Sequence, residues 1–151
     1  EFVDGIFELC ALAKELDYKI IIVTNQSGIA RGYYTEKVFL NFMDSLVNTF
    51  SEKNIIIDAF YFCPHHPSVN QADNEQKCLC RKPQPGMLLQ AIGEHSIDPN
   101  LSLLVGDKIT DIQAGVSANI NQLFLYDPDQ NYQSYASHYV ISRLDSIQAH
   151  L

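Results

Sequence analysis

The chain has 151 residues, of which 46% are hydrophobic and 19% are charged, and this balance fits one globular domain with enough apolar surface for a core. It contains no run of about 18 apolar residues that would predict a membrane span, and its first residues lack the basic flank and cleavage site of a signal peptide, so a cytoplasmic protein is expected. A net charge of −8 argues against a nucleic-acid or membrane-surface partner, because both favour a basic face.

Short apolar runs alternate with helical patterns along the chain, which predicts a single α/β domain over residues 1–151. Apolar residues at helical spacing predict a first helix from Asp4 to Leu16, with Asp4 as its cap, and "KIIIVT" predicts a buried strand. Thr35 suits an N-cap, and an apolar stripe behind it, expected to face the core, predicts a long second helix. The stripe comprises Val38, Phe39, Phe42, Met43, Leu46, Val47 and Phe50.

The second half of the chain continues the alternation. The runs "AFYFC", "LSLLVGD" and "QLFLYD" predict further strands, and "SHYVI" predicts an edge strand. Helices are predicted from Pro85 to His95 and from Ile109 to Asn119, where Asn119 should take a left-handed conformation. Continuous apolar runs of this kind are typical of parallel strands that are buried on both faces. We therefore expect an open parallel sheet covered by helices.

Polar side chains follow the predicted strands, at the edge where ligands of open α/β sheets bind. Thr24 and Asn25 end one strand, and Asp107 and Lys108 follow another. Hydroxyl and amide groups bind phosphoryl oxygens, lysine neutralises their charge and a carboxylate can hold magnesium, so this set predicts a phosphoryl-transfer site. Four of the ten Lys and Arg residues lie in the loops expected to form it: Arg31, Arg81, Lys82 and Lys108.

The segment between two of these strands carries a metal-binding pattern. Cys63-x-His65 and, twelve residues later, Cys78-x-Cys80 supply three thiolates and one imidazole, which is a closed tetrahedral zinc set. A disulfide is the alternative, although a reducing compartment disfavours it, and His66 is an alternative to His65 as the fourth ligand.

The predicted zinc site has a structural purpose. Metal binding would contribute on the order of 10 kcal/mol to ordering an otherwise polar loop. Because Cys80 is bonded directly to Arg81, the bound zinc would aim Arg81 and Lys82 at the substrate without itself taking part in the chemistry.

The strings "VTNQ", "RKP" and "VGDKITD" resemble, in this order, the second, third and fourth motifs of the haloacid dehalogenase (HAD) superfamily, whose phosphatases use an aspartate nucleophile. The resemblance covers nearly the whole chain and implies a three-layer Rossmann-like fold without a large cap domain. It implies that Thr24 and Lys82 are catalytic, that Asp107 is a magnesium ligand, and that Asp111 gives weaker or indirect support. The residues that it assigns to substrate binding are Thr24, Asn25, Gln26, Ser27, Arg81, Lys82 and Lys108.

Within the superfamily, "VTNQSGIARG", "CPHHP" and "CRKPQPGM" look most like the heptose bisphosphate 7-phosphatases. That likeness implies magnesium-dependent removal of the 7-phosphate of D-glycero-D-manno-heptose 1,7-bisphosphate, a small phosphosugar used for cell-surface glycans. Arg81 would recognise the remaining groups of the substrate, and Arg31 would either reach the substrate or lie at a helix start. The histidinol-phosphate phosphatases share "CRKP" and the zinc arrangement and are the alternative.

The sequence departs from the superfamily at its front, because it contains no Asp-x-Asp-Gly motif to supply the nucleophile and the general acid. Only three residues precede Asp4-Gly5, too few for the strand that would carry the motif, and that strand is central in the family's sheet. The chain as written is therefore expected to be inactive, either as an N-terminally truncated enzyme or as a natural remnant that binds phosphosugars. A monomer is expected, with pairing possible for a truncated form that lacks a central strand.

Several other residues receive structural interpretations. Cys10, on the apolar face of the first helix, is expected to be a buried small hydrophobe. His95, His138 and His150 have no partners at ligand spacing and are expected on the surface.

Overall fold

The computed structural model describes residues 1–67 and 78–151. Short 3-10 segments cover Pro99–Leu101 and Leu144–His150. The helices and strands within the described ranges are α1 (Ile6–Glu15), β1 (Ile21–Asn25), α2 (Ser27–Ala30), α3 (Glu36–Ser51), β2 (Ala59–Cys63), α4 (Gly86–His95), β3 (Leu103–Gly106), α5 (Ile109–Ser117), β4 (Gln122–Tyr126) and β5 (Tyr139–Ile141).

The strands form two parallel groups. β1 pairs with β2, so that Asn25 lies opposite Cys63, and β3, β4 and β5 form the second group in that order. Among the residues that the structure describes, no ladder joins β1 to β3. The parallel α/β architecture predicted from the sequence is confirmed, with the sheet in two parts.

Helices pack across both parts of the sheet. Leu88 of α4 belongs to an apolar cluster with Ala114 of α5, and both Val23 of β1 and Leu104 of β3 pack against that cluster. α1 similarly reaches two clusters, because its buried Leu9 lies in the one that contains Phe124 and its buried Cys10 in the one that contains Phe50. Hydrophobic burial against shared helices therefore holds the two strand groups in one molecule.

The helix starts agree only in part with the sequence. Thr35 accepts a hydrogen bond from the Val38 N–H at 3.2 Å, as an N-cap does. The prediction that Asp4 caps α1 is wrong, because Gly5 occupies that position in a left-handed conformation, with φ of 83°, and no side chain caps the helix.

The apolar stripe of α3 is narrower than predicted. Val38 and Phe42, one turn apart on its flank, remain 55% and 59% exposed, whereas Met43 is buried.

Asn119 and Cys10 lie as predicted, whereas His138 does not. Asn119 takes the left-handed conformation expected after α5, and Cys10 is buried, where loss of solvation raises the pKa of its thiol to about 11. The prediction of a surface position for His138 is wrong, because only 7% of it is exposed and its Nδ1 lies 3.0 Å from the Ser137 hydroxyl oxygen. His150 packs its ring edge-on against Phe124. No helix in the described ranges combines the length and apolar content needed to cross a bilayer.

Candidate active site and metal centre

The candidate active site lies at the carboxyl ends of β1 and β3. Thr24 and Asn25 are the last two residues of β1, and Asp107 directly follows β3. Asp107 and Lys108 are exposed, whereas Thr24 and Asn25 are half-buried. Within residues 1–67 and 78–151, Asp107 does not belong to a group of three or more candidate metal ligands.

Lys82 is the central cation of this edge. Its ammonium lies 2.5 Å from Asp111 Oδ1 and donates to the Val23 carbonyl at 2.9 Å. The side chains of Lys82 and Asp111 are only 13% and 6% exposed. Because a buried ammonium requires both charge compensation and hydrogen-bond acceptors, these contacts anchor the Lys82 side chain beside the end of β1.

Asn25 joins the strand end to the backbone of Lys82. Its Oδ1 accepts from the Lys82 N–H at 3.0 Å, and its Nδ2 donates to the Lys82 carbonyl at 3.2 Å. An amide side chain has one acceptor end and one donor end, so this reciprocal pair engages both. Asn25 therefore positions Lys82 as well as lying among the predicted substrate-binding residues, where its contact with substrate stays a prediction.

Asp111 also holds the turn after β3. Its Oδ2 accepts from the Lys108 N–H at 3.0 Å, while its own N–H donates to the Lys108 carbonyl at 2.9 Å. This arrangement requires a glycine at position 106, because a Cβ there would lie 2.3 Å from the Asp111 Cβ. One carboxylate thus fixes both the catalytic lysine candidate and the loop that presents Asp107.

The Thr24 hydroxyl belongs to a hydrogen-bonded chain of three side chains. Gln26 Nε2 donates to Thr24 Oγ1 at 3.0 Å, and the Tyr34 hydroxyl donates to Gln26 Oε1 at 2.5 Å. Ser27, at the start of α2, is half-buried beside them. Tyr34 was not identified from the sequence, because an aromatic residue in a loop carries no motif of its own.

The predicted zinc ligands converge on one point. The Sγ atoms of Cys63, Cys78 and Cys80 and the Nδ1 atom of His65 lie 2.8 to 3.5 Å apart in every pair. All the cysteines are free, and none of the S···S distances approaches the 2.05 Å of a disulfide, which excludes the disulfide alternative. Three thiolates and one imidazole in a compact group match the donor set of structural zinc, so the cluster can hold that metal.

The thiols of the Cys/His cluster have pKa values shifted in different directions. Burial alone would raise the pKa of Cys78, but hydrogen bonds from the Cys80 and Cys63 thiols and from backbone N–H groups lower it to about 6. Burial raises the pKa of Cys63 and of Cys80, whose thiols donate to neighbouring sulfur.

Two arginines lie beside the cluster. Arg81 Nη1 donates to the His65 carbonyl at 3.4 Å, and Arg31 Nη2 lies 2.5 Å from His66 Nε2. Partial desolvation and the positive charges of Arg31 and Arg81 lower the pKa of His66, which favours its neutral form. His65 rather than His66 belongs to the cluster. The rest of the predicted zinc loop, residues 68–77, lies outside the described residues.

The fold and part of the sequence are similar to those of HAD-like proteins. The family model described as HAD-hydrolase-like matches residues 79–146, which include the Lys82 loop, Asp107 and Asp111. A crystal structure of the D,D-heptose 1,7-bisphosphate phosphatase of B. bronchiseptica, complexed with magnesium and phosphate, superposes with a TM-score of 0.81 at 24% identity and covers 98% of this chain and 82% of its own. That likeness establishes the fold.

Two curated relatives specify the family further. The D-glycero-beta-D-manno-heptose-1,7-bisphosphate 7-phosphatase of Yersinia pestis is 47% identical over 120 residues, which are 80% of this chain and 64% of the relative. The corresponding alpha-heptose enzyme of Campylobacter jejuni is 43% identical over 130 residues, which are 86% of this chain and 70% of the relative. The chain belongs to the heptose-1,7-bisphosphate 7-phosphatase family, and it spans slightly less than two thirds of the length of the first of these relatives.

Proposed function

We propose that the chain forms the larger part of a magnesium-dependent phosphomonoester hydrolase that removes the 7-phosphate of D-glycero-D-manno-heptose 1,7-bisphosphate. The observation that carries this proposal is the Lys82 side chain, only 13% exposed, whose ammonium is held by Asp111 and the Val23 carbonyl at the strand edge that also bears Thr24 and Asp107. Identity of 43% to 47% with relatives named for this reaction supports the choice of substrate.

Each residue at the edge has a distinct task in the proposed reaction. The Thr24 hydroxyl donates to a phosphoryl oxygen, and the Lys82 charge offsets the negative charge of the transferring group. Asp107 would hold magnesium, which reduces the repulsion between the phosphate and an attacking carboxylate. One exposed carboxylate suits this cation, because protein-bound magnesium keeps several waters and binds substrate phosphates through one or two carboxylates.

We place the nucleophile outside the given chain. The sequence carries no Asp-x-Asp-Gly motif, and no ladder joins β1 to β3 in the described residues, so a strand bearing that motif would fit between them. Its first aspartate would form an aspartyl-phosphate that water hydrolyses, and its second would protonate the leaving sugar oxygen. In this interpretation the given chain is an N-terminally truncated form and is inactive by itself.

The Cys/His cluster has a structural task in this proposal. Zinc held by Cys63, His65, Cys78 and Cys80 would stiffen the segment that leads into Arg81 and Lys82. Arg81, already directed at the His65 carbonyl, would recognise the part of the phosphosugar that does not react. A cluster of three free thiols suits the reducing cytoplasm, where we place the protein.

The test compares the chain alone with the chain extended by its native upstream segment. Phosphate release with magnesium is measured for both anomers of the heptose bisphosphate and for histidinol phosphate. We expect turnover of the heptose substrate only by the extended protein. Preference for histidinol phosphate would replace the substrate assignment, and tight phosphosugar binding by an extended protein without turnover would replace the enzyme with a binding module.

A variant of the same extended protein tests the role of Lys82. Lys82→Met combined with Asp111→Asn removes both charges of the buried pair and so avoids leaving one carboxylate uncompensated. This variant should keep its zinc and lose turnover. Undiminished turnover would contradict the catalytic role of Lys82.

A further inference from the structure

The hydrogen bonds around Thr24 run in one direction. Tyr34, in the segment between α2 and α3, donates its hydroxyl proton to Gln26 Oε1 at 2.5 Å. Gln26 then donates through Nε2 to Thr24 Oγ1 at 3.0 Å. The two lengths fit this assignment, since O–H···O bonds are shorter than N–H···O bonds.

The orientation of the Gln26 amide decides what the Thr24 hydroxyl can do. A hydroxyl has one proton to donate and two lone pairs to accept with. With Nε2 towards Thr24, a lone pair is used and the Thr24 proton stays available. With the amide reversed, Oε1 would accept that proton, and Thr24 would have none left for an anion.

The backbone around Tyr34 brings its ring to this place. Gly28 of α2 lies under the ring, and a Cβ at that position would be 2.4 Å from Tyr34 Cε1. The Tyr33 N–H donates to the Gly28 carbonyl at 2.9 Å, and Gly32 makes the turn with φ of 75°. Tyr34 is half-buried as a result, whereas Tyr33 is 75% exposed.

From this chain of contacts we propose that Tyr34 is a positioning residue, which orients the Gln26 amide and thereby directs the Thr24 hydroxyl proton at the bound phosphoryl group. The inference rests on the proposed function, which places a phosphoryl oxygen at Thr24. Hydrogen bonds in a chain polarise one another, so donation by Tyr34 also strengthens the terminal donor. Tyr34 acts through two other side chains and does not touch the substrate.

The test uses Tyr34→Phe in the full-length protein, with Tyr33→Phe as the matched control. Loss of one bond in the chain should lower kcat/KM for the heptose bisphosphate about tenfold. The Kd for inorganic phosphate in the presence of magnesium, measured by calorimetry, should rise about fivefold. Tyr33→Phe should match the wild type in both measurements.

A second background separates positioning from a merely structural effect. In Thr24→Val, which has no hydroxyl to direct, adding Tyr34→Phe should change neither kcat/KM nor phosphate affinity further. Additive effects of the two substitutions would overturn the inference, as would wild-type behaviour of Tyr34→Phe. If Tyr34→Phe proves unstable, Gln26→Met interrupts the same chain and must show the same losses for the inference to stand.

The two proposals can fail separately. A wild-type protein that does not hydrolyse the heptose bisphosphate would overturn the proposed function. The phosphate measurement does not depend on turnover, so it would still decide whether Tyr34 controls the Thr24 donor. Equal phosphate affinity in Tyr34→Phe and Tyr33→Phe would overturn the positioning role even in an active enzyme.

Discussion

The Lys82 ammonium lies 2.5 Å from the Asp111 carboxylate, and the two side chains are only 13% and 6% exposed. The pair joins the loop that follows the Cys/His cluster to α5, the helix that follows β3. A displacement of that loop or of α5 would therefore move the Lys82 ammonium, which we propose binds phosphate. Three predictions concern this pair and the loop that leads to it, and a fourth concerns Asp58 in another part of the molecule.

Asp111→Asn should destabilise the protein by about 3 kcal/mol, because the substitution leaves the Lys82 charge buried without its counter-ion. The measurement is the free energy of unfolding in urea. Arg143→Gln breaks the exposed pair with Asp145 and serves as the control, with little expected change. Equal effects of the two substitutions would show that burial does not determine the value of the Lys82 pair.

Cys78→Ala should remove bound zinc and lower the melting temperature by at least several degrees, since the cluster loses one of its four converging ligand residues. Cys10→Ala is the matched control, because Cys10 is a free buried thiol outside the cluster. It should keep its full metal content at a cost of about 1 kcal/mol for the lost packing. Metal analysis by mass spectrometry distinguishes them, and zinc retained by Cys78→Ala would contradict the ligand assignment.

Gly86→Ala should destabilise the protein and weaken zinc binding. The added Cβ would lie 2.2 Å from the Leu79 carbonyl oxygen and 3.1 Å from the Cys80 Cα, so the backbone that carries a metal ligand must move. Gly93→Ala, in the same helix, meets no atom within 4 Å and should stabilise by about 0.5 to 1 kcal/mol. Thermal unfolding and zinc titration of both variants check this, and a neutral Gly86→Ala would refute the close approach.

Asp58 should make the stability of the protein pH-dependent in acid. Burial alone would raise the pKa of Asp58, but the hydrogen bond from the Ile20 N–H and the Lys14 ammonium lower it below 3.8. A lowered folded pKa gives stability that is fully present above the unfolded value of 3.8 and is lost as the pH falls through the folded value. Asp58→Asn should therefore be less stable than the wild type at pH 7, by about 1 kcal/mol, and nearly equal to it once the pH lies well below the folded pKa of Asp58.

Urea unfolding of both proteins across that pH range checks this prediction. The comparison cancels any acid-induced loss of zinc, because the Cys/His cluster is the same in both. A stability difference that stays constant with pH would mean that the Asp58 charge contributes nothing.

Local patterns account for the features that were predicted correctly. The strands follow from continuous apolar runs, the N-cap from the Thr35 hydroxyl, and the Cys/His cluster from two Cys-x-His/Cys pairs close in sequence. In each case the deciding interaction lies within one element or within one pair of neighbouring motifs. The sequence therefore contains enough information to predict the α/β fold and the residues of the Cys/His cluster, while the roles of the strand-end residues stay predictions.

Contacts between distant segments account for what was missed. The pairing of Asn25 with the Lys82 backbone, the burial of Asp111 and the packing of His138 depend on which surfaces meet after folding. Periodicity shows which side of a helix a residue lies on, but it does not show how wide the buried face is. Val38 and Phe42 were therefore predicted to face the core, although they are exposed. The sequence by itself determined the elements and the chemistry of their ends, because those depend on local propensity and spacing. Only the tertiary structure decided the partners of each polar group, because burial removes water and makes a particular neighbour necessary.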